Sequence, residues 1–173
     1  MVGLLRKRLK VLDVAIAILA ISLLVSCAWK FILKPNAAPL SLSVPVDTRI
    51  DLTGFDFHVS AETLVLVLQK DCQFCSRSAP FYKRLLEQYS GNPNLRIVAA
   101  LPHSPEVSRR YLASLELFVT DVREVELAEV KVPATPTLLL LNNEGRVKAS
   151  WVGMLSRERE EEVIQIINRD KGR

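Results

Sequence analysis

Two cysteines separated by two residues are the part of the sequence with the clearest chemical potential. Cys72 and Cys75 enclose Gln73 and Phe74 and follow an apolar run at residues 63–69. At such a strand-to-helix junction a thiolate faces unpaired backbone N–H groups and the positive end of the helix dipole, which both lower its pKa. The second thiol can attack a mixed disulfide formed by the first. The pair therefore predicts thiol–disulfide exchange, with Cys72 as the attacking thiol and Cys75 as the resolving thiol.

The same two cysteines allow two other interpretations. As half of a zinc site they would need further ligands, and only His58 and His103 supply imidazoles to complete a set of four. As a structural disulfide they would close a very short loop, which removes little entropy from the unfolded chain. The two histidines are expected to be surface or loop residues, and no metal or other cofactor is predicted.

The elements that position the pair follow from hydrophobic periodicity and turn signals. Apolar runs predict strands, amphipathic stretches predict helices, and residues 142–145 predict a hairpin turn. The alternation of strands and helices, closed by a hairpin and a helix, predicts an α/β fold with a mixed central sheet and helices on both faces. The predicted strands are 63–69, 95–101, 118–119, 137–141 and 146–152, and the predicted helices are 76–89, 104–115, 125–130 and 156–168.

The N-terminal region predicts a membrane span. Residues 11–33 contain only two charged residues, Asp13 and Lys30, and as a helix they would extend about 34 Å, enough to cross a hydrocarbon core of about 30 Å. Residues 1–34 hold six Lys/Arg against one acid, whereas residues 35–173 hold 17 Lys/Arg against 18 Asp/Glu. The basic isoelectric point of the whole chain therefore arises from residues 1–34 and does not indicate a nucleic-acid partner. The basic cluster before the span predicts a cytoplasmic N-terminus.

The resulting organisation has four parts. They are a cytoplasmic basic segment at 1–10, a transmembrane signal anchor at 11–33, a proline-containing linker at 34–48, and a domain at 49–173 outside the cytoplasm. A lipoprotein is an alternative, because residues 24–27 resemble a bacterial lipobox in which Cys27 would be lipidated. A cleaved secreted form is a third possibility. The apolar residues after Cys27 favour the anchor, and all three alternatives place the domain on the same side.

Three motifs in order resemble the thioredoxin superfamily. Residues 64–80 resemble its strand, redox pair and helix, with Pro80 at the position of the helix-kinking proline. Residues 132–141 resemble its cis-proline segment, and residues 143–147 with Gly153 resemble its terminal hairpin. The resemblance covers roughly residues 50–168 and is strongest to membrane-anchored TlpA-like proteins. It implies a cis bond at Thr135–Pro136 beside the redox pair, with backbone groups of Thr135 binding an extended substrate segment.

The resemblance implies a membrane-tethered thiol–disulfide oxidoreductase, with reduction as the expected direction. Its partners would be the thiols or disulfides of exported proteins and a membrane or exported redox donor. The sequence departs from the family at Asp71, where Trp is usual, and at Gln73–Phe74, where Gly-Pro is usual. Asp71 is expected to oppose the helix dipole, so only a mild lowering of the Cys72 pKa is predicted. The alternative is a non-catalytic interaction module on a thioredoxin-like scaffold.

Overall fold

The computed structural model describes Ser22 and residues 43–169. A five-stranded sheet and three α-helices account for most of this region. The strands are β1 Glu62–Val67, β2 Leu95–Leu101, β3 Asp121–Glu124, β4 Thr137–Asn142 and β5 Val147–Val152. The helices are α1 Gln73–Tyr89, α2 Pro105–Ser114 and α3 Arg157–Arg169.

The sheet has the strand order β3-β2-β1-β4-β5. β1 and β2 are parallel, as are β2 and β3, whereas β4 runs antiparallel to both β1 and β5. The predicted mixed sheet and its terminal hairpin are therefore confirmed. Val67 at the end of β1 pairs with Thr137 at the start of β4. This register brings the residues just before β4 next to the residues just after β1.

One face of the sheet is covered by all three helices. The alternation of a strand sends Leu64, Leu66 and Leu68 to this face. They pack with apolar side chains of the helices in a cluster that also contains the fully buried Trp151 of β5. The helical members include Phe81, Tyr82, Leu85, Leu112, Val163 and Ile167. Trp151 is thus a core-packing residue.

The opposite face carries no α-helix among the described residues, so the prediction of helices on both faces is wrong. Val65 and Val67 pack there with Val125 and Val130 and with an irregular segment at residues 44–57. A short 3-10 turn, Phe57–Val59, is the only helical element of that cover within the described part of the chain. Irregular backbone can replace a helix here because its buried residues, including Ile50, still exclude water from the sheet.

The segment at residues 44–48, at the end of the predicted linker, lies along the outer edge of β5. The Asp47 N–H donates to the Val147 carbonyl at 2.9 Å, and the Val147 N–H donates to the Thr48 carbonyl at 3.0 Å. Val44 bonds to the Ser150 side chain in both directions, at 2.9 and 3.0 Å. These bonds satisfy backbone groups of β5 that an open edge would leave exposed.

The strand predicted at residues 118–119 is wrong, because the strand lies a few residues later as β3. Val98 of β2 pairs with Asp121, and the neighbouring Val122 is buried. Phe118 is instead 80% exposed. The apolar residues 118–119 are not the strand. The segment that pairs with β2 is the more charged β3, which has one buried valine.

The helix predicted at residues 125–130 is also wrong, because this segment forms turns. Val125 and Val130 are buried as expected for an apolar stripe. Lys131, however, has a positive φ of 54°, which ends any right-handed helix. Pro133 further disfavours helical backbone at the preceding residue. The chain therefore turns here and then bends through residues 133–136 into β4.

No helix among Ser22 and residues 43–169 is long and apolar enough to cross a membrane. The span predicted for residues 11–33 lies, apart from Ser22, outside the described residues. It stays a prediction.

We expect Gly145→Ala to destabilise the fold far more than Gly91→Ala. Both glycines have positive φ, 73° and 79°, so both substitutions incur left-handed strain of about 1–2 kcal/mol. A Cβ on Gly145 would also lie 2.9 Å from the Phe57 ring and 3.0 Å from the Ile50 carbonyl, whereas a Cβ on Gly91 meets no atom of the described residues within 4 Å. Overpacking raises the expected loss at Gly145 to about 2–5 kcal/mol. Urea denaturation of both variants measures the difference, and equal losses would contradict it.

Candidate active site

Cys72 is the N-cap of α1. Its backbone is extended, with φ −82° and ψ 108°, and its Sγ accepts a hydrogen bond from the Cys75 N–H at 3.2 Å. The Cys72 N–H donates to the Gln69 carbonyl at 3.3 Å, which closes a turn after β1. Asp71 in this turn adopts a φ of 64°. The sulfur thus occupies the acceptor position that Ser or Asp usually fills at a helix start.

The Thr135–Pro136 peptide bond is cis, as the resemblance predicted. It lies against the redox pair: the Cys72 thiol donates to the Thr135 carbonyl at 3.5 Å, and the Thr135 hydroxyl donates to the Cys72 sulfur at 3.6 Å. The Pro136 carbonyl accepts from the Gly153 N–H at 2.7 Å. The register of β1 against β4 therefore assembles one site from two segments that are 63 residues apart.

The pKa of Cys72 is lowered. Burial of the sulfur is the largest single contribution to the shift and by itself raises the pKa. Several hydrogen bonds lower the pKa and together outweigh burial. Hydrogen bonding from the side chains of Cys75 and Thr135, and from the backbone N–H groups of Cys75 and Phe74, stabilises the thiolate. The main opposition thus comes from burial rather than from the carboxylate of Asp71, which is exposed. The predicted direction of the shift is confirmed.

Cys75 lies one helical turn further on and is completely buried. Burial raises the pKa of Cys75 to about 12, and its hydrogen bond with Cys72 adds to the shift. The two thiols are not bonded to each other in this structure. One thiol is thus accessible and partly activated, whereas its neighbour is held neutral and out of contact with solvent.

Sequence reasoning missed two contributors to the site. Thr135 was expected to act through its backbone, and its hydroxyl contact with Cys72 was not anticipated. Tyr111 of α2 was not singled out, although it lies beside the pair with its hydroxyl against Ser76. The sequence pattern that could have identified Tyr111 is its helical spacing, because residues three and four apart share one face of α2. The residues on this face line one side of a groove and are Val107, Arg110, Tyr111 and Ser114.

The two histidines lie on irregular or short elements, as predicted. His58 is exposed in the 3-10 turn, and His103 is half-buried in the loop between β2 and α2. Within residues 43–169, no three His, Cys, Asp or Glu side chains converge in a way that would hold a metal ion.

Comparison with known proteins places this geometry in a recognised fold. A scan against protein-family models finds no matching family, and a search of curated proteins finds no matching sequence. A protein described as thiol:disulfide interchange protein DsbE from Chlorobium tepidum is similar in structure, with a TM-score of 0.55 and 18% identity. The match covers 73% of this chain and 96% of that one.

Two further solved structures show the same likeness. A thiol:disulfide interchange protein from Bacteroides sp. matches with a TM-score of 0.51 and 17% identity, covering 74% of this chain and 90% of that one. The thioredoxin domain of a thiol-disulfide oxidoreductase from Bacteroides vulgatus gives 0.51 and 16%, covering 73% and 96%. The structural neighbours are thus thiol:disulfide interchange proteins of the thioredoxin superfamily, and the chain has a thioredoxin-like fold.

Proposed function

We propose that this protein is a membrane-tethered thiol–disulfide oxidoreductase that acts on exported proteins through Cys72 and Cys75. The supporting observation is the asymmetry of the pair: an accessible thiol of lowered pKa caps α1, and a buried thiol of raised pKa lies behind it. A purely structural pair would not require this difference. The Thr135–Pro136 segment beside the attacking sulfur supplies an edge against which an extended substrate can lie.

The proposed reaction transfers two electrons to a substrate disulfide. The Cys72 thiolate attacks one substrate sulfur, the substrate S–S bond breaks, and the leaving thiolate takes up a proton. Cys75 then loses its proton and attacks the Cys72 sulfur, which releases the second substrate thiol. The products are a reduced substrate with two thiols and a Cys72–Cys75 disulfide. A membrane or exported thiol donor must reduce that disulfide before the next cycle.

Reduction is the proposed direction because burial of the Cys72 sulfur opposes the hydrogen bonds that stabilise its thiolate. A strongly stabilised thiolate would favour the reduced pair and make the disulfide oxidising. In a Cys27→Ala background, which leaves only this pair, equilibration with glutathione buffers should give a reduction potential below about −200 mV. A value near −120 mV would indicate a disulfide donor instead. A pair that never becomes oxidised would indicate the non-catalytic interaction module.

The proposed location is the non-cytoplasmic face of the membrane, with residues 11–33 as the anchor. The low charge of residues 11–33 and the basic cluster that precedes them support this location. A reporter cysteine at Asn36 should react with a membrane-impermeant reagent in intact cells. Labelling that requires lysis would contradict the orientation, and mass spectrometry of the N-terminus would reveal a lipidated Cys27.

A further inference from the structure

A groove beside the redox pair lies between the start of α1 and one face of α2, and we call it the α1–α2 groove. It has a volume of about 500 Å³. Lys70 and Asp71, which directly precede Cys72, line one side together with Ser76, and the stripe of α2 described above lines the other. The Ser76 N–H donates to the Cys72 carbonyl at 3.2 Å, so the groove opens next to the attacking residue.

The cationic groups of this groove are unpaired. Neither Lys70 nor Arg110 makes an ion pair among residues 43–169, although both are exposed. Most other basic side chains of the same region are paired with Asp or Glu, namely Lys83, Arg84, Arg96, Arg123, Arg146, Lys148, Arg157 and Arg159. Among the described residues, Asp71 is the single acidic one that lines the groove. The groove is thus locally positive in a region that carries slightly more acidic than basic residues.

Tyr111 contributes a half-buried aromatic side chain to the α2 wall of the groove. Its hydroxyl lies against Ser76, on the opposite wall. A peptide segment can pack against this wall, and its acidic side chains would then lie near the two unpaired cations.

From these contacts we infer that the α1–α2 groove selects acidic substrates. The occupant is the segment of a substrate protein next to its reacting cysteine, with Asp or Glu near that cysteine. This inference rests on the proposed function, because it names the substrate class of the same site. Attraction by Lys70 and Arg110 raises the encounter rate and holds the segment while Cys72 attacks. Exposed charge pairs are individually weak, so we expect a preference of about fivefold rather than a strict requirement.

The test compares disulfide-linked peptide dimers whose cysteines are flanked by Glu, Gln or Lys. The pre-reduced full chain in detergent is mixed with each peptide, and the second-order rate constant of peptide reduction is measured in a single turnover. Each value is divided by the rate with dithiothreitol, which removes differences in intrinsic disulfide reactivity. The expected order is Glu above Gln above Lys, with about a fivefold step from Gln to Glu. The step should shrink in 0.5 M salt, because screening weakens exposed charges.

Variants then assign the preference to the groove. The double variant Lys70→Gln with Arg110→Gln should lose the Glu preference, so that its rate constants for the Glu and Gln peptides become equal. Arg109→Gln is the matched control, because Arg109 is also exposed and unpaired in the described region but lines a separate pocket with Leu112 and Ala113. It should keep the preference.

The outcomes separate the two proposals. If the Gln peptide is not reduced at all, the proposed function fails. If all three peptides are reduced equally, or if Arg109→Gln removes the preference as completely as the double variant, the groove assignment is overturned and the function survives. A dependence on Arg110 seen only with oxidised glutathione would also overturn it, because the site would then serve a small disulfide.

Discussion

Cys75→Ser is expected to accumulate mixed disulfides between Cys72 and substrate proteins, whereas Cys72→Ser is expected to accumulate none. The attacking sulfur is the accessible one that caps α1, and removal of Cys75 leaves it intact but takes away the group that releases the substrate. A serine hydroxyl at position 72 is not ionised at neutral pH. Exchange by Cys72→Ser should therefore fall at least ~1000-fold. Non-reducing electrophoresis followed by mass spectrometry identifies the trapped adducts.

The double variant Cys72→Ser with Cys75→Ser is the control, and it should form no adducts through this site. Cys27 must be replaced in every sample, because it is a third thiol in the chain. Equal trapping by both single variants would refute the assigned roles. Adducts through Cys75 alone would reverse them.

The second large effect is a difference in alkylation between the two thiols of the reduced protein. At pH 7.5 a thiol with a pKa of about 12, as at Cys75, is ionised to only ~0.003%. A thiol with the ordinary pKa of 9.0 would be ionised to ~3% at this pH, and Cys72, whose pKa is lowered, is ionised to a greater extent. Iodoacetamide should therefore modify Cys72 more than about 1000-fold faster than Cys75, since the thiolate is the reactive form.

The pH dependence of alkylation tests the direction of the Cys72 pKa shift. Because the pKa of Cys72 is lowered, its alkylation rate should reach a plateau at a lower pH than that of an unfolded cysteine peptide. Cys75 should stay unreactive across the neutral range, and urea unfolding should equalise the two rates. Mass spectrometry of each cysteine peptide follows both reactions. Similar rates in the folded protein, or a Cys72 midpoint above that of the peptide, would contradict this account.

Local sequence patterns were sufficient to predict most of the sheet and the redox pair. Residues 95–101 form β2 as predicted, and the strand predicted at 63–69 is observed as Glu62–Val67. Both are short, mostly apolar runs, and most of their side chains are buried. The hairpin of β4 and β5 also followed from its turn residues, because Asn142 and Gly145 close it through local bonds. The spacing of Cys72 and Cys75 likewise identified a resolving pair.

Contacts between distant segments were needed for the rest. The segment at residues 118–130 was misassigned because parallel pairing with β2 outweighs local hydrophobicity in selecting a strand, and burial beneath the sheet does not require a helix. The hydroxyl of Thr135 reaches Cys72 only through the register of β4 on β1.

Local sequence patterns and tertiary contacts determine different features of this protein for a physical reason. Periodicity, turn residues and the spacing of Cys72 and Cys75 describe interactions within a few residues, and these the sequence determines by itself. The environment that separates the pKa values of the two thiols, and the groove between α1 and α2, depend on which distant segments pack together. Burial and long-range hydrogen bonds are properties of the assembled fold, so only the tertiary structure could decide them.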